Sequence, residues 1–407
     1  MYGTDTVPPG PMQPKAAPDG ANGHDAGGLR PPFARNRGRP IWPGGPWGDG
    51  NRPPPGRENT GPGPVPGGRQ HPYGGGDADG GALGPAGSSG VDGTPHFDAP
   101  RFNAPVPRHG YAWWYIDALS DDGQHGLTII AFLGSVFSPF YAWSRKYGAG
   151  DPMQFCAVNA VLYGRPKRWA MTERTAGAVD RGPRHLSIGP SALHWDGSSL
   201  TISLDEVTAP LPSRLRGTVR VHPVALTGQR YLLDDAGRHR WSPFAPMSRV
   251  EVDLTHPALR WSGPGYFDSN EGDAALEDDF VRWDWCRAPM SAPGGAAILY
   301  NAERRVGGHQ SLALHVAANG AVERFAPPPP VSLPATPLWR VSRTTRADVA
   351  PRVVTTLEDT PFYSRSVIET RLLGQSVTAV HESLLLDRFR APWVQALLPF
   401  RIPRRWR

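Results

Sequence analysis

Residues 111–134 read YAWWYIDALSDDGQHGLTIIAFLG. Two runs of aromatic and β-branched residues flank a polar segment in which Asp122-Gly123 supplies turn chemistry, so the stretch predicts a β-hairpin. The same signal recurs at short spacing downstream. FCAVNAVLY (155–163), RWAMTERT (168–175), SLTISLDEV (199–207) and LRGTVRVHPV (215–224) continue a first series of strands. RVEVDL (249–254), FVRWDWCRA (280–288), AAILYNAER (296–304), SLALHVA (311–317), PLWRVS (337–342), SRSVIETRLL (364–373) and SVTAVHESLL (376–385) form a second. In FVRWDW, alternation places Phe280, Arg282 and Asp284 on one face and Val281, Trp283 and Trp285 on the other. Only DAALEDDF (273–280) suggests helix, of one or two turns. Many antiparallel strands joined by glycine/proline turns predict an all-β protein of sandwiches or barrels. Two series of similar length predict two similar domains, residues 105–249 and 250–390.

The composition divides the chain in another way. About half of the 48 glycines and nearly half of the 47 prolines fall in the first hundred of 407 residues. That leader, residues 1–104, has few aliphatic residues and no periodicity. It cannot bury enough apolar surface to offset its ordering entropy and is predicted to be disordered. The net charge of +6 is concentrated at the other end: residues 388–407 (RFRAPWVQALLPFRIPRRWR) hold six arginines and no acidic residue. The rest is close to neutral and carries no basic stripe on a recognisable motif, which argues against nucleic-acid binding. Residues 391–407 form a basic aromatic tail suited to a membrane surface. Pro392, Pro399 and Pro403 predict that it is short or broken rather than one regular helix.

Cys156 and Cys286 stand far apart, outside any C-x-x-C pairing, and read as small buried hydrophobes in a reducing compartment. The amino terminus is polar and proline-rich, without the apolar core of a signal peptide. LTIIAFLGSVFSPFYAW (127–143) is marginal in length for a membrane span and is interrupted by Gly134, Ser135, Ser138 and Pro139. It reads better as strand, loop and aromatic wall.

No P-loop, G-x-S-x-G or H-E-x-x-H pattern occurs. DSNEGDAALEDD (268–279) superficially resembles a calcium loop, but Gly272 sits where a ligand belongs and Asp273 where the turn glycine belongs. His309 and His315 share one face of a strand-like run, a possible metal pair without a third ligand. The 14 tryptophans are more telling, since many lie in strands and together suggest a broad aromatic cavity for a large apolar ligand. Two short stretches set polar chemistry beside such rings. His239 and Trp241 share a face at i and i+2, and so do Tyr266 and Asp268. Taken alone, each pair reads equally as a satisfied turn.

The stretches HGYAWWYIDALSDDGQHGLTIIAFLGSVFSPFYAWSR (109–145), HRWSPFAP (239–246), GPGYFDSNEG (263–272) and FVRWDWCRA (280–288) resemble the carotenoid 1,2-hydratases, also called hydroxyneurosporene synthases, of purple bacteria. The likeness spans about residues 105–390 and leaves out the leader. It implies two lipocalin-like β-domains, no cofactor, an acyclic carotenoid partner, and addition of water to the C1–C2 double bond of a ψ end group. It also implies that His239, Trp241, Tyr266 and Asp268 are the functional residues. Relatives sharing the fold include cyclases, so a terpenoid cyclase or isomerase, or a carotenoid-carrying lipocalin, is a rival reading.

The chemistry asks for such residues. Protonating a trisubstituted alkene at C2 leaves a tertiary cation at C1, so the acid must be neutral near pH 7. Burial against aromatic rings raises a carboxyl pKa and fits Asp268 as proton donor. Aromatic faces such as Trp241 can stabilise the cation. A neutral histidine, His239, is the expected base for the incoming water. Tyr266 would serve through its ring or its hydroxyl. A bilayer-borne substrate predicts a cytoplasmic protein held peripherally on the inner or intracytoplasmic membrane.

Overall fold

The computed structural model describes residues 99–291 and 294–405. Residues 1–98, most of the leader for which composition predicts disorder, lie outside the described residues, as do the last two residues of the tail. The opening hairpin forms as expected: β1 (Tyr111–Leu119) pairs antiparallel with β2 (Gly126–Leu133), Ile116 opposite Ile129. Its turn is closed by the Asp122 carboxylate, which accepts from the Ser120 hydroxyl and the Gln124 N–H. Gly123 supplies the left-handed backbone there, at φ 66°.

The chain continues through α1 (Pro139–Lys146), β3 (Cys156–Tyr163), β4 (Arg168–Arg174), the short strands β5 (Val179–Arg181), β6 (His185–Ile188) and β7 (Ser191–Trp195), then β8 (Leu200–Val207) and β9 (Arg214–Pro223). After β10 (Tyr231–Leu232) it enters two long strands, β11 (His239–His256) and β12 (Ala258–Gly272). These strands, with β22 (Arg404–Arg405) at one edge, make a curled half-barrel sheet. Its order is β22-β4-β3-β2-β1-β12-β11-β9-β8-β7-β6-β5, with β10 beside β11.

One turn of helix, α2 (Leu276–Asp279), carries the chain to a second, seven-stranded sheet. It comprises β13 (Phe280–Met290), β14 (Gly295–Arg304), β15 (His309–Val316), β16 (Val322–Arg324), β19 (Arg352–Asp359), β20 (Tyr363–Leu372) and β21 (Gln375–Leu385). The pair β17 (Pro330–Leu333) and β18 (Arg343–Arg346) lies outside it. The chain therefore changes sheets at residues 273–279, whereas position 250 falls inside β11. The glycines of GPGYFDSNEG hide a 15-residue strand because they read as turn signals. They are there for close approach: a Cβ at Gly263 would strike the Leu119 carbonyl of β1, and one at Gly272 the Tyr111 ring.

PLWRVS does not form a strand. The Asp359 carboxylate accepts the backbone N–H groups of Leu338 and Trp339, which takes that backbone out of any ladder. In β13 a register shift between Phe280 and Arg282 turns Phe280 onto the face of Trp283, ring centroids 5.6 Å apart, against the simple alternation. Both cysteines are buried and unpaired, and burial pushes each thiol up to about 12.

Alternation elsewhere sorts the side chains into layers. On β1, Tyr111, Tyr115 and Leu119 join the cluster between the two sheets, while Trp114, Ile116 and Ala118 join a core behind the first. Phe102 extends that rear core, its ring edge-on to Trp114 at 4.9 Å. One inward position is charged. Asp117, fully buried, accepts from Arg287 of β13 at 2.5 Å and from Arg365 of β20 at 2.7 Å. Arg365 also reaches Glu382 of β21 and the Tyr115 hydroxyl. Removing one partner of a buried pair leaves an uncompensated charge, so Asp117→Ala should lower unfolding free energy by about 3–5 kcal/mol. Urea denaturation checks this, and a loss under about 1 kcal/mol would show that the bridge does not hold the sheets.

Candidate active site

Between the sheets lies a cavity of about 430 Å³. Trp113 and Tyr115 of β1, Trp283 and Trp285 of β13, and Tyr300 of β14 form its aromatic floor. Trp339, Phe362 and the C-terminal segment form its mouth. Asp268 enters this floor from β12. Its neighbours behave as period-2 alternation requires: Tyr266 faces the cluster between the sheets, and Phe267 points the other way onto Phe244, ring centroids 5.5 Å apart.

The Asp268 carboxyl has two unlike oxygens. Oδ2 accepts from the Tyr266 hydroxyl at 2.7 Å and from the Trp241 indole N–H at 2.8 Å. Oδ1 is buried with no partner. Burial pushes this carboxyl up to about 7, against the pull of the two donors, and the charges of Glu382 and Asp117 add to the rise. A proton on Oδ1 can therefore leave without breaking a hydrogen bond. The anion left behind is already solvated at Oδ2 by two fixed donors.

Trp241 and Tyr266 are fully buried behind Asp268 and do not line the cavity. Tyr266 contacts the carboxyl through its hydroxyl. The Trp241 ring packs on Tyr300 at 4.8 Å, and Tyr300 does line the cavity. His239 is also fully buried and lies off the cavity wall. Its Nε2 is 2.6 Å from the Asp279 carboxylate and its Nδ1 is 2.9 Å from the Tyr111 hydroxyl. The Asp279 carboxylate requires a hydrogen on Nε2, and burial favours the neutral ring, in which Nδ1 accepts from the Tyr111 hydroxyl. Burial lowers its pKa, opposed by Asp279. Three of the four residues thus meet at one carboxyl, and His239 ties β11 to Tyr111 and α2 beside them.

Sequence reasoning missed Glu382 and Tyr115. Glu382 sits in β21, far along the chain, with no motif around it, and Tyr115 read only as a strand aromatic. Among the described residues, no group of three or more His, Cys, Asp or Glu side chains converges as a metal site. The positions of the calcium-like stretch are otherwise engaged: Asp268 as above, Asn270 with the Tyr300 hydroxyl, and Asp279 with His239. His315 contacts the Gly294 carbonyl at 3.2 Å, and His309 is exposed.

Residues 129–407 match the model of the carotenoid hydratase CrtC family. The chain belongs to that family. It is 52% identical over 385 residues to an acyclic carotenoid 1,2-hydratase of Thiocapsa roseopersicina, covering 94% of this chain and 93% of the relative. An acyclic carotenoid 1,2-hydratase of Rubrivivax gelatinosus is 51% identical over 75% of this chain and 76% of its own length. A solved structure described as a putative AttH from Nitrosomonas europaea is 14% identical, covers 70% of this chain and 99% of that one, and has a TM-score of 0.48. As a member of a hydratase family the chain is an enzyme, a hydro-lyase.

A raised carboxyl pKa binds its proton more tightly in the folded than in the unfolded state. Its contribution to stability is therefore full below the unfolded value and is lost as pH rises toward 7. Asp268→Asn removes that loss. Between about pH 4 and pH 8 the variant should gain on the wild type by up to about 4 kcal/mol in urea denaturation. A stability difference that does not change with pH would refute the raised carboxyl.

Proposed function

We propose that this chain adds water across the C1–C2 double bond of acyclic carotenoids such as neurosporene and lycopene, through a tertiary cation and without a cofactor. The observation that carries the reading is Asp268, a carboxyl poised near neutrality on the wall of an aromatic cavity, with one oxygen held by two donors and the other free of any hydrogen bond. Asp268 would protonate C2, and the positive charge at C1 would lie among Trp113, Trp283, Trp285, Tyr115 and Tyr300. Cation–π attraction at a desolvated ring is worth about 2 kcal/mol or more. Tyr266 and Trp241 hold the carboxyl and receive its developing charge. In this proposal His239 is a positioning residue. Its accepting lone pair is taken up by Tyr111, whose ring stacks on Trp113 of the cavity floor at 4.9 Å.

The test is the Asp268→Asn variant with lycopene in isotopically labelled water. An asparagine carbonyl can accept both donors at the Oδ2 position, so the fold and pigment binding should persist. Hydration should fall about 10²–10⁴-fold. A variant keeping more than about a tenth of wild-type turnover would rule out Asp268 as the acid.

The mouth suggests how this scaffold meets a bilayer-bound substrate. The tail forms α3 (Leu386–Arg390) and, after a break at Ala391, α4 (Pro392–Arg401). Val394 and Leu398 are buried while Trp393, Leu397 and Phe400 are exposed, and Leu397, Leu398 and Phe400 line the cavity. Packed beside α4, α1 exposes Trp143, and Tyr147 is exposed just past its end. Much of the basic charge turns inward: Arg388 and Arg390 donate to backbone carbonyls, and Arg404 pairs with Glu173. Among the described residues, no helix is long and apolar enough to cross a membrane. We therefore propose a peripheral protein on the cytoplasmic side, docked mainly through these exposed rings at headgroup level. Trp143→Ser with Trp393→Ser, neither residue on the cavity, should weaken vesicle binding. Activity on vesicle-embedded carotenoid should fall more than activity on micelle-dispersed carotenoid. Equal effects in the two assays would refute this docking face.

A further inference from the structure

Hydration needs a second proton transfer, because the water that attacks C1 must lose a proton. The cavity carries three carboxyls besides Asp268: Glu358, Asp359 and Glu382. Asp359 is used by the backbone N–H groups of Leu338 and Trp339 near the mouth, and Glu358 accepts from the Tyr163 hydroxyl. Glu382 belongs to the floor. Tyr115, the direct cross-strand neighbour of Asp268, donates its hydroxyl to Glu382 Oε1 at 2.8 Å. Trp285 is the direct cross-strand neighbour of Glu382, and its ring lies edge-on to both Tyr115 and Tyr266. The two carboxyls thus face one aromatic pocket, separated by the reach of one tyrosine.

Their environments differ. Among the described residues, no cation pairs with Asp268. Glu382 has Arg365, which it shares with Asp117, and Arg287 completes the set, so two guanidiniums face two carboxylates. The Tyr115 and Arg365 bonds both fall on Oε1. The accessible 19% of the side chain belongs to a residue on the cavity wall. Beside it, the Trp285 indole N–H is buried without a partner.

Resting on the hydration reading above, we propose that Glu382 receives the proton of the attacking water, and that the Trp285 N–H donates to that water's oxygen and orients it. The step balances. The Asp268 O–H bond breaks as the alkene π pair forms C2–H. A water lone pair then forms C1–O, and the water O–H bond breaks toward Glu382. Glu382 later returns its proton to Asp268 through water in the cavity. Burial raises the Glu382 carboxyl above its usual value while Arg365 opposes this, which makes it a stronger base than a free carboxylate. A pair of carboxyls held apart in this way divides acid and base roles between them.

The test separates protonation from water capture. In D₂O the wild type forms the cation by delivering deuterium to C2, and most cations are captured as alcohol. Glu382→Gln keeps Asp268 and should still form the cation, which then reverts by losing a proton from C2. Hydration should drop about 100-fold while deuterium accumulates at C2 of recovered carotenoid, raising the ratio of exchange to hydration. Hydration within about threefold of wild type, or exchange and hydration falling together, overturns the role of Glu382. A wild type that neither hydrates nor exchanges would instead sink the hydration reading itself. Where Glu382→Gln does not fold, Glu382→Asp decides, since it keeps a charge for Arg365 but withdraws it from the cavity. A raised exchange-to-hydration ratio supports the proposal, and an unchanged ratio overturns it. Trp285→Phe, which keeps the ring and loses the N–H, should raise the same ratio more weakly, and an unchanged ratio there overturns the orienting role of the indole.

Discussion

The bridge from Asp117 to Arg287 and Arg365, and on to Glu382, is the constraint around which the rest is arranged. Two sheets that enclose a cavity cannot be held together by packing along their whole facing surface. Where the cavity opens, the walls give up contacts, and something must fix their separation. Here four charges from β1, β13, β20 and β21 do so, each with a partner of opposite sign. Such a set is costly to desolvate and rarely adds much net stability over an apolar substitute. Its value is geometric, because paired guanidiniums and carboxylates tolerate little change in distance or angle.

Geometry at the bridge becomes chemistry at the floor through Tyr115. Its hydroxyl belongs to the charged set, and its backbone lies opposite Asp268. The charged set and the neutral acid are therefore neighbours that do not share a cation. Had Arg365 reached Asp268, that carboxyl would be ionised and unable to protonate an alkene. Instead Asp268 keeps only neutral donors, Tyr266 and Trp241, and both act on one oxygen. In its proposed role as the acid, this carboxyl is weak enough to hold a proton near neutrality, and its anion would still be supported once the proton had gone.

How much of this was legible in the sequence depended on the range of the interaction concerned. Period-2 alternation exposed β1, β2 and most of the second series, because each strand carries its own pattern. The shared face of Tyr266 and Asp268 was legible for the same reason, being a local property of extended backbone. Strand β12 itself was masked, since Gly263, Gly265 and Gly272 serve close approach to the neighbouring strands β1 and β11 and look like turns. PLWRVS misled because its register is broken by a carboxylate twenty residues away. His239 shows the same limit. The i, i+2 rule places it with Trp241, but cannot say that Tyr111 and Asp279, distant in sequence, occupy both its nitrogens. Glu382 was invisible for want of any local signal, since its meaning comes wholly from Arg365, Tyr115 and the cavity.

The C-terminal segment joins the two scales. As sequence it is a basic tail, and in three dimensions it closes the sandwich. Val394, Leu398 and Ile402 sink into the cluster between the sheets, and Arg404 reaches Glu173 through the edge strand β22. Pro399 inside α4 and the break at Ala391 prevent a long regular helix, so the segment follows the rim instead of projecting from it. The same residues thus line the mouth and present rings outward. An apolar chain moving from a bilayer into the cavity would meet Phe400 and Leu397 first and the Trp283–Trp285 floor last, remaining in apolar surroundings along the way. Only at the floor would it meet a proton donor. In the proposed mechanism, that order of surroundings would delay formation of a carbocation until its end group is enclosed by the rings that can stabilise it.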